Sequence, residues 1–496
     1  MQTNMPQRAT RGAAWATLGE GVGRGFQFIT DIVLSRILVP ADFGLMAFVV
    51  SIMALSDSLA QMGFSSALIQ KQEDPKQSLN TAWTLNIITG LFFMALMILF
   101  APMLAHVLGS DRAVNIFRVL SINFLIRGAS NVAVIYLRRN LTFRKQFFFD
   151  STPIIAYTLL VVPLALMLHS VWALIFGLMF RRVIEFIMSY VLVPYKPRLE
   201  IDGPAVKALF SFGSWIVIGG LVSTAMRQGI STFIGIMFTV PELGYYNRAE
   251  VFSIMIFQMF NNIIVKVGFP VYSLLMQDVK KLRSYFFKTQ ALILFIAVPL
   301  SLAIVLFARE FVLIFLTRKF YPSIVLMELL GVYGLLRIIL FPVLILFNSI
   351  GKPRWNATSN FIQFAVLAVA AYPFSKLFGL VGLPYALIAS IVVAHFYSWP
   401  LALKRMRASS VELARSLVYP LVNGAITSLI VVLVRAHLPW RDNLLELGLM
   451  ALLAGVVYLA IAFLFDRFLG YGIFSLIRSR VRDLGLDRFL PFLSRL

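Results

Sequence analysis

Four polar residues stand at helical spacing in a stretch that is otherwise apolar enough to cross a bilayer. They are Glu20, Arg24, Gln27 and Asp31, inside the run from Gly12 to Pro40. At about 100° per residue they fall within roughly 60° of one another on a helix. A charge facing lipid at mid-membrane costs about 2.5–3.5 kcal/mol on the insertion scale. Aligned charges therefore face a polar interior or each other. Carboxylates in such a setting relay protons, and arginines bind phosphate or carboxylate bidentately. Glu20, Asp31 and, further on, Asp57 are candidates for coupling to an ion gradient. Glu20 and Arg24 also lie at i,i+4, where a plain structural pair forms.

More arginines stand deep in apolar segments. Arg227 shares a helical face with Ser223, Thr224 and Ser231, and Arg127 steps by four with Asn123 and Asn131. Arg337 lies in a later span. Arg24, Arg127, Arg227 and Arg337, with Gln27 and Gln228, are the candidate lining of a cationic cavity whose low-dielectric walls focus the field on an anion. Arg181 and Glu185 form an i,i+4 pair with a structural reading, and Arg118 and Lys266 sit near span ends and can snorkel.

Catalytic chemistry leaves no comparable trace. His106, His169, His395 and His437 are scattered near span ends without metal-ligand spacing, and cysteine is absent. There is no phosphate-binding GxxxxGK[ST] sequence. Gly19, Gly21, Gly23 and Gly25 lie inside a span with no strand before them, so they read as close helix packing. No catalytic residue, metal site or cofactor is expected.

The elements that must position these residues are membrane spans. Of 496 residues, 60% are hydrophobic and 13% charged, against about 45–50% and 25% in soluble domains. Spanning segments fall at 12–36, 43–64, 81–107, 114–137, 148–168, 170–193, 207–236, 247–270, 286–308, 322–348, 356–375, 379–402, 413–436 and 443–469. The chain is thus an all-α polytopic membrane protein with about 14 transmembrane helices. With the N-terminus inside, about 27 basic residues fall on the inner side and about 9 on the outer, which puts both termini in the cytoplasm. The net charge of +22 then reflects inner loops and not nucleic-acid binding. The basic, Phe- and Leu-containing tail after Gly470 reads as an amphipathic interfacial helix.

The chain also repeats itself. LVPADFGL at 38–45 returns as TVPELGYY at 239–246, Gln27 matches Gln228, and Leu125-Ile126-Arg127 matches Leu335-Leu336-Arg337. Six spans separate equivalent points, so the halves point the same way through the membrane and form a parallel repeat. The expected organisation is an N-lobe at 1–200 (spans 1–6), a C-lobe at 201–410 (spans 7–12), spans 13 and 14 at 411–470, and the tail at 471–496.

The run SRILVPADFGLMAFVVSIMALSDSLAQMGFSSALIQ, followed by YLRRNLTFRKQF, resembles the polysaccharide-transporter branch of the multidrug/oligosaccharidyl-lipid/polysaccharide (MOP) superfamily. It is similar to Wzx-type flippases of the colanic-acid and exopolysaccharide kind over about residues 8–470. The resemblance implies a MATE-like V-shaped transporter in the bacterial inner membrane. Its implied cargo is an undecaprenyl-pyrophosphate-linked oligosaccharide, moved to the periplasmic leaflet by alternating access. Membrane lipids and polysaccharide polymerase or co-polymerase proteins are the implied partners. Arg24 is the position that matches an arginine implicated in related lipid II flippases. Two other classes stand beside this reading. A MATE-like drug exporter needs a more acidic cavity, and a membrane polymerase or ligase needs a catalytic outer loop, whereas outer connections here do not exceed about 15–20 residues.

Overall fold

The computed structural model describes residues 5–60, 76–139, 142–203, 206, 221, 224–437, 443–470, 472–476 and 478, with the backbone alone for 5–20 and some others. The expectations for the Glu20, Ser223 and Lys266 side chains, and for the tail at 479–496, fall outside the described residues. The chain forms two compact units, Met1–Asn247 and Arg248–Leu496.

The long helices are α1 (Met5–Ile37), α2 (Pro40–Ala60), α3 (Lys76–Leu108), α4 (Arg112–Gly128), α5 (Phe143–Leu168), α6 (Trp172–Leu192), α7 (224–237), α8 (Val240–Ile263), α9 (Val279–Leu306), α10 (Ser323–Ser349), α11 (Pro353–Phe378), α12 (Gly382–Met406), α13 (Ser410–His437) and α14 (Leu444–Leu469). No strand occurs among the described residues. Among the described residues, eight stretches are long and apolar enough to cross a membrane. The helices outside those stretches are α1, α4, α6, α7 and α8. They include the ones that carry Arg24, Arg127, Arg181, Arg227 and Glu250. Asp57 and Arg337 lie within the eight stretches, on α2 and α10.

The repeat appears as repeated packing. In the first unit α3 packs on α4, α5 on α6, and α4 on α6; in the second, α9 packs on α10, α11 on α12, and α10 on α12. Both copies of the VP motif also start a helix the same way. Asp42 accepts the Val39 amide at 3.3 Å and Glu242 accepts the Thr239 amide at 2.8 Å. Each acidic side chain satisfies a donor that the first helical turn leaves open. Two glycines then let these starts touch. A Cβ on Gly44 would run into the Val240 carbonyl oxygen, and one on Gly244 into the Pro40 carbonyl oxygen. Next to this crossing, Ser51 bonds Thr232 at 3.0 Å, and Phe48 fills the space beside Gly235. All these residues belong to the first unit.

Three details differ from the sequence reading. The fourth span bends early: α4 stops at Gly128, and Asn131 leaves the helical face. Asn131 instead accepts the Ala133 amide at 3.0 Å and donates to the Val193 carbonyl at 2.9 Å, pinning the end of α6. Among the glycines of α1, Gly23 has a close neighbour, with Ile154 3.1 Å from a built Cβ, while Gly21 and Gly25 have open space. His395 is not at a span end but well inside α12.

In the second unit the core centres on α10, where Leu330, Leu340, Val343, Leu346 and Phe347 are fully buried. α13 and α14 join this unit through α9: Val298 and Leu302 fill the space over Gly424, and Asn423 donates to the Tyr458 carbonyl at 3.1 Å.

Candidate functional site

The first unit holds a charged cavity of about 330 Å³ between α2, α4 and α6. Each helix lines it with one stripe at helical spacing. From α2 come Val50, Met53, Ala54 and Asp57; from α6 come Leu178, Arg181, Arg182 and Glu185. Both run i, i+3, i+4, i+7, the pattern of a single helical face. α4 contributes Asn123, and one turn later Arg127 closes an ion pair with Asp57.

Charge in this cavity is unevenly paired. Arg127 is bonded to Asp57, and Arg182 donates to Glu185 at 2.7 Å. Arg181 lines the same space with no ion-pair partner among the described residues. The lining holds two arginines and two carboxylates, and with Arg127, which reaches Asp57 from beside the cavity, the cluster carries one positive charge more than negative. The Asn123 side-chain oxygen is buried without a hydrogen-bond partner among the described residues. A buried polar group in that condition is costly unless water or a ligand satisfies it. The cavity can therefore hold an anion that also donates a hydrogen bond.

The second unit treats its arginine differently. Arg337 lies over the Phe257 ring, 4.1 Å from its centroid, and 5.6 Å from the Tyr333 centroid. Glu250 lies within electrostatic reach of it. Trp399 donates its ring N–H to His395 Nδ1 at 2.9 Å, so Nδ1 is an acceptor. Nε2 then carries the hydrogen and donates to the Leu336 carbonyl at 3.1 Å, next to Arg337. This imidazole ties α12 to α10.

The other candidates stand elsewhere. Arg24 and Asp31 are half-buried on α1, and Gln27 is exposed. Arg227 is exposed on α7 and donates to Thr224 at 3.3 Å, while Gln228 is half-buried with its carbonyl accepting from Thr232. None of Arg24, Gln27, Arg227 and Gln228 lines the 330 Å³ cavity. Thus Asp57 and Arg127, separate in the sequence reading, are brought together. Glu185 is bonded to Arg182 and not to Arg181, because the i,i+3 geometry places its carboxylate on that side. Arg182 and the unpaired state of Arg181 were missed; the signal was the stripe Leu178, Arg181, Arg182, Glu185.

Comparison with known proteins agrees with this architecture. The chain is 25% identical over 354 residues to the lipopolysaccharide biosynthesis protein WzxC of Escherichia coli strain K12, covering 68% of this chain and 70% of that protein. It is 24% identical over 287 residues to the teichuronic acid biosynthesis protein TuaB of Bacillus subtilis strain 168, covering 57% and 59%. In fold it is similar to the lipid II flippase MurJ in an inward closed conformation, with a TM-score of 0.74 at 13% identity over 93% of this chain and 99% of that one. An inward-facing MATE transporter of the MOP superfamily aligns with a TM-score of 0.62 at 15% identity, covering 77% and 94%. A family profile matches residues 33–325, and with it the chain belongs to the family described as polysaccharide biosynthesis protein.

Proposed function

We propose that the chain is a flippase for a lipid-linked oligosaccharide. It carries an undecaprenyl-pyrophosphate-linked repeat unit across the bacterial inner membrane for exopolysaccharide or lipopolysaccharide assembly. Family membership and the relatives WzxC and TuaB, named for lipopolysaccharide and teichuronic acid biosynthesis, support the cargo class. The observation that carries the reading is Arg181, an arginine with no counter-ion among the described residues, lining the cavity between α2, α4 and α6. A pyrophosphate supplies the missing charge, and a sugar hydroxyl supplies the hydrogen bond that the Asn123 oxygen lacks.

Transport of this kind forms no covalent intermediate. It requires differential affinity between inward and outward states. The repeat lobes, 1–200 and 201–410, are the moving parts, with both termini in the cytoplasm and the pyrophosphate entering from that side. Asp57 is the strongest coupling carboxylate, because protonating it frees Arg127 to join Arg181 on the anion. Arg24, Arg227 and Arg337, with Gln27 and Gln228, are further candidate substrate contacts, and Asp31 and Glu20 are further coupling groups. A polymerase and co-polymerase receive the flipped unit. Export of cationic drugs is disfavoured, since the cluster of Arg127, Arg181, Arg182, Asp57 and Glu185 has its surplus in arginine.

The test is polymer export in a flippase-null cell, with membrane abundance checked for each variant. Loss of a charge-assisted contact is worth about 1.5–3 kcal/mol, so Arg181→Ala lowers export about tenfold or more at normal abundance. Arg181→Lys keeps part of it. Full export by the Ala variant removes the cavity from the mechanism. The Arg24→Ala/Arg227→Ala double variant asks the same of the other cationic positions.

A further inference from the structure

The second unit has a larger cavity, about 1010 Å³, away from Arg337. It opens where α9 and α13 begin and α14 ends. Two helical stripes form its polar side. On α9 the stripe is Lys280, Arg283, Ser284, Phe287, Lys288 and Ala291; on α13 it is Glu412, Arg415, Ser416 and Tyr419. Both follow i, i+3, i+4, i+7 spacing, so each is one face of its helix.

Arg283 and Glu412 are already used. The Arg283 Nε meets Glu412 at 2.9 Å and its Nη1 donates to the Arg407 carbonyl at 2.7 Å. This clasp fixes the start of α13 against α9. Lys281 turns away to Asp278, 3.2 Å distant. Lys280, Lys288 and Arg415 remain, exposed to the cavity and without an acidic partner among the described residues.

The opposite wall is apolar and built by a chain reversal. Gly470 and Gly472 take φ of +64° and +73°, a region that favours glycine. The Ile473 amide then bonds Asp466 at 2.7 Å, and Phe474 packs on Phe295 and Phe463 at 6.2 and 6.3 Å between centroids. Leu469, Ile473 and Leu476 form the wall that results. Lys280, Arg283 and Arg415 lie near the helix starts and Lys288 lies level with Phe287, while Ala291 and Tyr419 lie about one turn further along α9 and α13, both of which are long and apolar enough to cross a membrane.

We infer that this cavity binds the phosphate headgroup of an anionic membrane lipid, with Lys280, Lys288 and Arg415 on the phosphate and the acyl chains along Phe287, Tyr419 and Leu476. Basic pockets between spans at the membrane surface take such headgroups. The volume is at the top of the range of about 300–1,000 Å³ usual for organic ligands, far more than inorganic phosphate fills. A free phosphate also leaves the apolar wall unused. The site does not depend on the proposed flippase activity.

The experiment is binding of phosphatidylglycerol to the purified full-length chain in detergent, read by native mass spectrometry. Phosphatidylcholine, inorganic phosphate and undecaprenyl phosphate serve as competitors. A basic residue at a membrane surface contributes about fivefold in affinity, so Lys280→Gln/Lys288→Gln/Arg415→Gln together lower binding on the order of 100-fold. Each single variant gives about fivefold, which keeps the test valid should the triple variant be unstable. Lys352→Gln/Arg354→Gln, on exposed residues at the start of α11, leaves binding unchanged. Equal binding of phosphatidylcholine, full competition by inorganic phosphate, or an equal loss in the Lys352/Arg354 control overturns the inference. Preferential competition by undecaprenyl phosphate also overturns it, and marks the cavity as a carrier-lipid site.

Discussion

Arg127 and Arg337 occupy matching positions in the two repeats, yet they are held by opposite means. In the first unit the partner is Asp57. In the second unit Arg337 lies instead over the Phe257 ring, 4.1 Å from its centroid, with Glu250 within electrostatic reach. The repeat keeps the cation and exchanges its anchor. In the first unit a carboxylate neutralises the guanidinium directly, while in the second an aromatic face carries part of the contact.

That comparison can be broken or sharpened by experiment. The largest effect is expected where the repeats are alike. Gly44→Val and Gly244→Val each push a side chain into backbone that cannot move aside, so each costs about 3 kcal/mol or more. Both variants should lose folded protein from membranes to a similar extent. Unequal losses would show that the crossing is not reciprocal in energy.

Asp57→Ala comes next. Breaking a fully buried pair costs about 3–5 kcal/mol. The side chains here are 32% and 27% exposed, which reduces the expected loss to about 2 kcal/mol. Thermal unfolding of Asp57→Ala, Arg127→Ala and the double variant should show strong coupling between the two. Phe257→Ala should cost less through its ring contact with Arg337, about 0.5–2 kcal/mol. Phe257→Asp sharpens the point: it gives the second unit the first unit's chemistry and should make transport more sensitive to acid. Asp42→Ala and Glu242→Ala close the series. Each removes the acceptor of one helix-start amide, for about 1 kcal/mol apiece, and Glu242→Ala also frees the Thr239 hydroxyl. Melting temperatures of the pair should fall together.

Much of this was legible in the sequence. Long apolar runs announce helices, and the recurrence of the VP motif announces the repeat, because both signals are carried by residue type and spacing. The Arg127–Asp57 pair was not legible as a pair. It joins residues 70 positions apart, and only the packing of α2 against α4 brings them together. Glu185 shows a finer limit. Arg181 and Arg182 both lie within one helical turn of it, and rotamer and neighbours decide between i+3 and i+4. Phe257 carried no signal of its own among 45 phenylalanines. The basic stripes of α9 and α13 were in plain sight, but they read as inner-loop charge until the reversal at Gly470 and Gly472 supplied the apolar wall.

The crossing of Gly44 and Gly244 has an evolutionary reach. Its contacts are reciprocal, with each glycine set against the backbone before the other's motif. That is the geometry of a two-fold homodimer interface, in which one surface meets itself. In a half-length ancestor every substitution at such a surface is made twice at once, so a helpful change on one side is coupled to its mirror image. Joining the copies into one chain dissolves that coupling. The Asp57 and Phe257 contacts are what such freedom allows: two arginines held differently, and a glycine seam that both sides still have to share.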